Sequence, residues 1–459
     1  MSDGFDVVVL GAGSGGYACA LRAAQLGLRV AMVEGAKVGG TCLHVGCIPT
    51  KALLHAAEVA DSARDSARFG VLATLDGIDM SAVNSYKDGV VRRLYQGLTG
   101  LVRGRGITVV EGQGRLVGPG TVAVGERRLT GRSVVLATGS SPKTLPGLEV
   151  DGRRVLTSGE ALSLDHVPAS AVVLGGGVIG CEFASAWRSF GADVTILEAL
   201  PRLVAGEDEA SSRALARAFD KRGIRCLLGT AFESLETTDT GVRVTAAGGE
   251  LLEAEVLLVA VGRGPVSAGL GYDEQGVGLD ERGFVVTDER LHTSVDGVYA
   301  VGDLVAGLQL AHRGFAQGMF VAEEIAGREP APVREETIPR VTYCDPEVAS
   351  VGLTEASARS AYGEDRVRTL TYDLAGNGKS QILRTQGFVK LVRVEDGPVV
   401  GVHVVGARAG ELIGEAQLIT GWEAHPEDVA PLQHAHPTQH EALGEAHLAL
   451  AGTPLHAHS

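Results

Sequence analysis

The chain alternates short apolar runs with glycine-rich turns and longer stretches of helical periodicity. The first run, residues 7–10, ends in Gly11-Ala12-Gly13-Ser14-Gly15-Gly16. A helical pattern over 17–26 follows, then Gly27, then a second apolar run over 29–33 closed by Glu34. The same order returns as a strand over 171–174, Gly175-Gly176-Gly177-Val178-Ile179-Gly180, a helix through residue 190, and a strand over 193–197 closed by Glu198. The offset from first glycine to acid is 34 − 11 = 23 in one copy and 198 − 175 = 23 in the other. Apolar strands alternating with helices predict an α/β fold with parallel sheets. Two ungapped copies predict two Rossmann-like dinucleotide-binding units, hence two dinucleotides facing one another.

Each glycine of the pattern has a physical task. The first (Gly11, Gly175) makes a tight turn, the second (Gly13, Gly177) lets the backbone approach a pyrophosphate, and the third (Gly16, Gly180) lets helix and strand pack closely. The pyrophosphate then meets the free N–H groups of a helix start, which Val178 and Ile179 open in the second copy. Glu34 and Glu198 are placed to accept hydrogen bonds from a ribose. A carboxylate at Glu198 suits a 2′-hydroxyl and repels a 2′-phosphate. Ala199-Leu200-Pro201 supplies no basic cluster before Arg202, so the second unit reads as an NAD site. Glu182, two past Gly180, otherwise reads as a first-turn acid favoured by the helix dipole.

Between the copies, a strand over 134–137 ends in Thr138-Gly139-Ser140, and Pro146-Gly147 marks a linker. A matching exit, 256–261, runs into Gly262-Arg263-Gly264-Pro265. Residues 55–105 read as amphipathic packing helices and 231–255 as a β-meander. From Gly283, strands and turns lead to Gly302-Asp303, Leu310-Ala311-His312 and a helix to about 326. Asp303 on its own is more often a helix N-cap. Residues 330–338 are Pro- and charge-rich and read as a linker. Beyond 339, strands at about 348–353, 386–393 and 398–405 with helices at about 354–361 and 409–423 predict a separate α+β unit.

Composition narrows the partners. Aromatics are only 4% of 459 residues, so the cores are aliphatic. The net charge of −15 argues against nucleic-acid binding and against docking on anionic membranes. No apolar run approaches the roughly 20 residues of a membrane span. The start, Met1-Ser2-Asp3-Gly4, lacks the basic region of a signal peptide. Six cysteines in so long a chain are no secreted disulfide framework. A cytoplasmic protein is expected, where a disulfide is more often catalytic than structural.

Two of those cysteines carry the chemistry: Gly39-Gly40-Thr41-Cys42-Leu43-His44-Val45-Gly46-Cys47-Ile48-Pro49-Thr50-Lys51. A disulfide needs Cα atoms roughly 4.4–6.8 Å apart. Five residues rise about 7.5 Å in a helix and about 16 Å in a strand. A bridge therefore needs a turn or distorted helix start, which Gly46 permits. Such a small loop is a poor staple and a better redox switch; two unrelated buried cysteines are the alternative. Near the end stands His434-Ala435-His436-Pro437-Thr438-Gln439-His440-Glu441. Histidine is the usual general acid–base group near neutral pH, and Glu441 is spaced to orient His436; the alternative is a plain polar segment. Histidines 425, 434, 440, 447, 456 and 458 fit no good metal spacing, so no metal is expected.

Together these motifs resemble, over essentially the whole chain, the flavoprotein disulfide reductases that use FAD and a pyridine nucleotide. The likeness is greatest to the branch that oxidises dihydrolipoyl groups with NAD. The resemblance rests on Gly40-Thr41-Cys42 through Lys51, the doubled fingerprint, Ala137-Thr138-Gly139, Ala300-Val301-Gly302-Asp303, and His436-Pro437-Thr438 with Glu441. It implies a FAD-binding domain in two parts, 1–147 and 271–338, a NAD-binding domain, 148–270, and a dimerisation domain, 339–459. It implies that Gly11, Gly13, Gly16, Glu34, Gly40, Thr41, Gly114, Ala137, Thr138, Gly139, Asp303, Leu310, Ala311 and His312 line FAD. Lys51 would lie at the flavin and pair with an acid matching Glu182. Gly175, Gly177, Val178, Ile179, Gly180, Glu182, Glu198 and Gly262 would serve NAD. Cys42 would face substrate, Cys47 would face flavin, and His436 with Glu441 would act in the partner's site of a homodimer. A cis His436-Pro437 bond is implied. The expected partners are lipoyl domains of acyltransferase or glycine cleavage carrier proteins. The sequence departs from the family at Arg313-Gly314-Phe315-Ala316-Gln317 and at Gln439-His440. A reductase of a low-molecular-weight disulfide is the alternative activity. A non-catalytic flavin-binding NADH sensor is the alternative class, and the joint presence of Cys42, Cys47, His436 and Glu441 argues against it.

Overall fold

The structure is a computed structural model that describes residues 3–456. The chain divides into two compact units. The first comprises the chain up to Leu53, Asp79–Lys143 and Gly262–Glu335. The second comprises Leu54–Ile78, Thr144–Val261 and the chain from Glu336 onward.

A seven-stranded sheet organises the first unit. Strands Thr108–Glu111, Val30–Glu34, Asp3–Leu10 and Arg127–Leu136 run parallel in that order, and Val298–Ala300 joins the last of them in parallel. Thr121–Val124 and Gly114–Gly118 extend the sheet antiparallel. Successive side chains of a strand point to opposite faces, and both faces here are covered. Val7, Val9, Val30 and Met32 enter one core with Ala20, Ala23 and Phe320. Val8, Leu10, Ala31 and Val33 enter the other with Leu116, Leu129 and Leu304. Burial on both faces is why these runs are continuously apolar. Helix Ser14–Gln25 packs on helix Ala311–Ile325 through glycines: a Cβ at Gly318 would sit 2.2 Å from the Gly15 oxygen.

The second unit carries three sheets. The parallel one has the order Arg225–Leu228, Asp193–Glu198, Ser170–Leu174, Val256–Val259, Val155–Leu156. The meander Phe232–Thr237, Val242–Ala246, Glu250–Ala254 shares its core, with Val242, Val244 and Leu252 meeting Val172, Leu174 and Leu257. The third is antiparallel, in the order Arg340–Thr342, Glu347–Gly352, Val399–Gly406, Phe388–Val394, Val367–Asp373. Helices Ala409–Gly421 and Glu441–Leu450 bury Leu412, Ile413, Leu443 and Ala446 in one core with Val389, Leu391, Val402 and Val404. Among the described residues no helix is long and apolar enough to cross a membrane.

Local differences from the sequence reading have local causes. The helical stretch expected over 55–105 is two helices, Cys47–Asp65 and Met80–Gly104. The 3₁₀ turn Ser66–Phe69, stopped by Gly70 at φ +76°, interrupts it. The strand expected at 134–137 begins at Arg127, because its first half carries Arg127, Arg128, Thr130 and Arg132 and shows no apolar run. Glu182 is not a first-turn acid: it is the fifth residue of helix Val178–Phe190 and is buried.

The helix–helix contact yields the first prediction. Gly318→Ala forces the Gly15 carbonyl and the Cys19 nitrogen, 2.9 Å from the added carbon, to move. A stability loss of about 1–3 kcal/mol is expected in denaturant unfolding; an unchanged midpoint would contradict the packing described.

Candidate active site

The two sulfurs sit on either side of a break between helices. Cys42 belongs to the short helix Gly40–His44, and Cys47 starts helix Cys47–Asp65. Val45 ends the first helix and donates its N–H to the Thr41 oxygen at 2.9 Å. Gly46 is needed for space, not for a left-handed φ: a Cβ there would lie 2.9 Å from the Thr41 oxygen. This fold-back brings the Cys42 thiol into hydrogen bonding with Cys47. That hydrogen bond first, then burial, pushes the Cys42 thiol far above its ordinary range, against the pull of Lys51. Lys51 follows Cys47 by four positions on the same helix, which puts both on one face.

Glycine also fixes where this turn sits. Gly39, at φ +108°, donates its N–H to the Ala12 oxygen at 2.8 Å. A Cβ at Gly40 would lie 2.7 Å from the Gly13 Cα. The dithiol turn thus rests directly on the first fingerprint turn. Tyr17 is close enough to both sulfurs to feel their charge; burial first, then Cys42 and Cys47, push its phenol up to about 12.

The two fingerprint turns are built alike, atom for atom. Gly11 and Gly175 have φ of +101° and +110°. An added Cβ would strike the oxygen of Ala137 at 2.3 Å in one and of Ala260 at 2.4 Å in the other. At Gly16 and Gly180 it would lie 1.9 Å from the preceding turn's carbonyl oxygen in both. At Gly13 and Gly177 it would meet nothing within 4 Å. These two glycines cap helices Ser14–Gln25 and Val178–Phe190 without any side-chain cap, so the helix N–H groups face an open cradle. That is the arrangement a pyrophosphate fits. Glu34 accepts the N–H groups of Ala12 at 2.8 Å and Ala36 at 2.7 Å. Glu198 accepts those of Gly176 at 2.5 Å and Leu200 at 2.7 Å. Each carboxylate is held across its turn, with acceptor capacity left for a ribose. Arg202, the basic residue nearest Glu198 in sequence, donates instead to the Ala205 oxygen at 2.6 Å.

A third group of residues closes the first unit's site. Thr138 Oγ1 donates to the Val266 oxygen at 2.6 Å, and Gly139 has φ +71°. Asp303 is not a helix N-cap: it lies inside the turn Gly302–Leu304, which Val301 caps, and its Oδ2 accepts the Ser140 hydroxyl at 2.6 Å. Arg263 donates to the Ser140 hydroxyl at 2.8 Å and to the Ser140 oxygen at 2.5 Å. Burial lowers the Arg263 guanidinium, and the charges of Asp303 and Cys47 oppose that shift. The family departures after His312 are structural. Gln317 accepts the Gly302 N–H at 2.8 Å, and Arg313 donates to the Ala306 oxygen at 2.6 Å. Both are buried and hold the Asp303 turn from behind. Leu310 caps helix Ala311–Ile325 without a side-chain bond. Gly114 is a packing glycine: a Cβ would lie 2.4 Å from Leu10 Cδ1. Gly262, at φ +105°, falls in the first unit, where its oxygen accepts the Lys143 N–H at 2.9 Å.

In the second unit, Glu182 accepts the Tyr343 N–H at 3.0 Å. His436 Nδ1 lies 2.8 Å from Glu441 Oε1, and Glu441 Oε2 accepts the Thr438 N–H at 2.9 Å. The carboxylate is an acceptor only, so Nδ1 carries a proton and Nε2 is left to accept one. Burial would raise the Glu441 carboxyl, but the Thr438 amide and His436 hold it below its usual range. The His436 side chain is 78% exposed and its bond to Pro437 is cis. Among the described residues no group of three side chains is arranged to hold a metal; His458 lies outside them. Sequence reasoning missed Ser140, Arg263, Arg313 and Gln317. The first two stood inside motifs already quoted; the last two stood in the stretch set aside as a departure.

Sulfur chemistry packed on a nucleotide turn defines a nucleotide-dependent disulfide oxidoreductase. The chain belongs to the pyridine nucleotide-disulphide oxidoreductase family: the family model matches residues 5–318, and that of its dimerisation domain matches 338–447. It is 40% identical to the dihydrolipoyl dehydrogenase of Bacillus subtilis, over 99% of this chain and 100% of that one. It is 39% identical to the mitochondrial dihydrolipoyl dehydrogenase of Pisum sativum, over 99% and 93%. The solved structure of LpdA from Mycobacterium tuberculosis superposes with a TM-score of 0.90 at 26% identity, over 97% of this chain and 99% of that one. The cofactors of this family are FAD and NAD, and its dimerisation domain supports a homodimer.

The unequal roles of the glycines can be separated. Gly13→Ala meets no protein atom and should leave unfolding near wild type while lowering bound flavin per purified chain. Gly16→Ala should instead lower stability by about 1–3 kcal/mol. Full flavin content in Gly13→Ala with normal binding kinetics would contradict the cradle.

Proposed function

We propose that this chain oxidises protein-bound dihydrolipoyl groups to lipoyl groups, with NAD as acceptor, as part of a 2-oxo acid dehydrogenase or glycine cleavage complex. The observation that carries this reading is the Cys42–Cys47 turn seated on the first fingerprint turn. It is supported by about 40% identity to dihydrolipoyl dehydrogenases over nearly the whole chain. Glu198, with Arg202 turned to the backbone, supports NAD over NADP. FAD is held at the first fingerprint, with Thr138, Gly139, Asp303 and the helix start at Leu310-Ala311-His312 around it. NAD is held at the second fingerprint. Lys51 keeps its place beside the flavin and Glu182 its place on the NAD side. The partners are lipoyl domains, and the location is the cytoplasm.

The thiol steps follow from the residues. His436 Nε2, supplied by the partner subunit of the dimer, takes the proton of one dihydrolipoyl thiol, and Glu441 stabilises the imidazolium. The resulting thiolate attacks Cys42 Sγ; a mixed disulfide forms, the Cys42–Cys47 bond breaks, and Cys47 leaves as thiolate. The second lipoyl thiol then gives up its proton as it attacks its own sulfur in the mixed disulfide and closes the lipoyl ring; Cys42 leaves as a thiolate and takes up that proton. Lys51 and Arg263 favour negative charge on this pair. FAD, when bound, carries the electron pair from the dithiol to NAD.

Assays of the flavin-loaded protein with lipoamide, glutathione disulfide and mycothiol disulfide, each with NADH and NADPH, test the reading. Lipoamide with NADH should dominate; turnover of another disulfide with none of lipoamide would sink it. Cys42→Ser should abolish lipoamide turnover and leave flavin bound. His436→Gln should lower dihydrolipoamide oxidation by on the order of 10²–10⁴-fold, and near-normal rates would reject it as the base.

A further inference from the structure

His436 stands on a stretch without regular structure, between the short helix Pro426–Val429 and helix Glu441–Leu450. A base that exposed needs its loop held from elsewhere, because misplacement by about 1 Å can remove a hundred-fold in rate. Glu441 orients the ring but is itself attached to the loop's end. Support from a separate element comes from Glu415, on helix Ala409–Gly421. Its Oε1 lies 2.8 Å from His434 Nε2, and its Oε2 lies 3.1 Å from His440 Nδ1. One carboxylate thus grips the loop two residues before His436 and four residues after it.

The surroundings make the grip firm. Helix Ala409–Gly421 is anchored by Leu412, Ile413, Ala416 and Ile419 in the core of the C-terminal sheet. The His434 ring lies against Gly444 of the following helix, where a Cβ would come within 2.5 Å of its Nδ1. Burial would raise the Glu415 carboxyl, but His434 and His440 hold it low, so it stays ionised.

We propose that Glu415 is a positioning residue, which sets the His436 loop for proton transfer by holding His434 and His440 at once. This rests on the role of His436 in the proposed function. The brace has two consequences that a general structural role lacks. It acts on the thiol half of the reaction only, and its two tethers are not independent.

The test uses the flavin-loaded dimer with Glu415→Ala, His440→Ser and the double variant. Glu415→Ala should lower kcat for dihydrolipoamide oxidation on the order of ten-fold to a hundred-fold. NADH oxidation by ferricyanide, which needs no thiol base, should be unchanged. His440→Ser should lower kcat by a smaller factor, and should cost nothing further in the Glu415→Ala background. Deuterium exchange of peptides spanning 434–440 should rise in both single variants. Equal losses in both assays, additive losses in the double variant, or unchanged exchange would overturn the proposal. If the wild type oxidised a different dithiol, the proposed function would fail; exchange and the same comparison on that substrate would still judge the brace.

Discussion

Everything in the first unit's site depends on how closely two glycine turns approach one another. The Gly39 N–H reaches the Ala12 carbonyl, and Gly40 leaves no room for a Cβ over Gly13. Side chains at these positions would hold the dithiol turn away from the nucleotide turn. With glycine, backbone meets backbone, and Cys42, Cys47 and Lys51 are carried to the fingerprint by rigid elements. Electron transfer between a dithiol and a bound nucleotide needs that proximity, and it is obtained here by removing atoms.

The same economy is repeated in the second unit. In both fingerprints the terminal acid ties one amide of the glycine turn to the amide two residues beyond itself before any ligand arrives. The carboxylate is therefore preorganised: it loses little freedom when a ribose binds. The chemistry is divided among rigid supports. The sulfurs ride on helix starts, the acids on strand ends, and His436 on a loop that Glu415 and Glu441 contact.

Much of this was legible in the residues, for identifiable reasons. Fingerprint glycines are dictated by backbone sterics, so Gly11, Gly16, Gly175 and Gly180 announce their roles directly. Strands buried on both faces announce themselves as apolar runs, as 7–10 and 171–174 do. What was hidden depends on partners distant in sequence. Ser140 meets Asp303 across 163 positions and Arg263 across 123. Arg313 and Gln317 looked like a loss of the family pattern; in space they carry backbone groups of the Asp303 turn. Strand Arg127–Leu136 was half visible because its polar half carries no period. The different tasks of Cys42 and Cys47 came from the family resemblance; what the structure adds is the hydrogen bond between the two thiols.

The central claim is that Cys42 and Cys47 are the sulfur terminus of an electron path that ends at NAD. The most direct measurement is anaerobic: one equivalent of NADH is added to the oxidised, flavin-loaded protein, and new thiols are alkylated and mapped by peptide mass. The account predicts two new thiols per chain, at Cys42 and Cys47, with dihydrolipoamide oxidation lost in step with their alkylation. No NADH-dependent labelling, or labelling confined to Cys19, Cys181, Cys226 or Cys344, would contradict it.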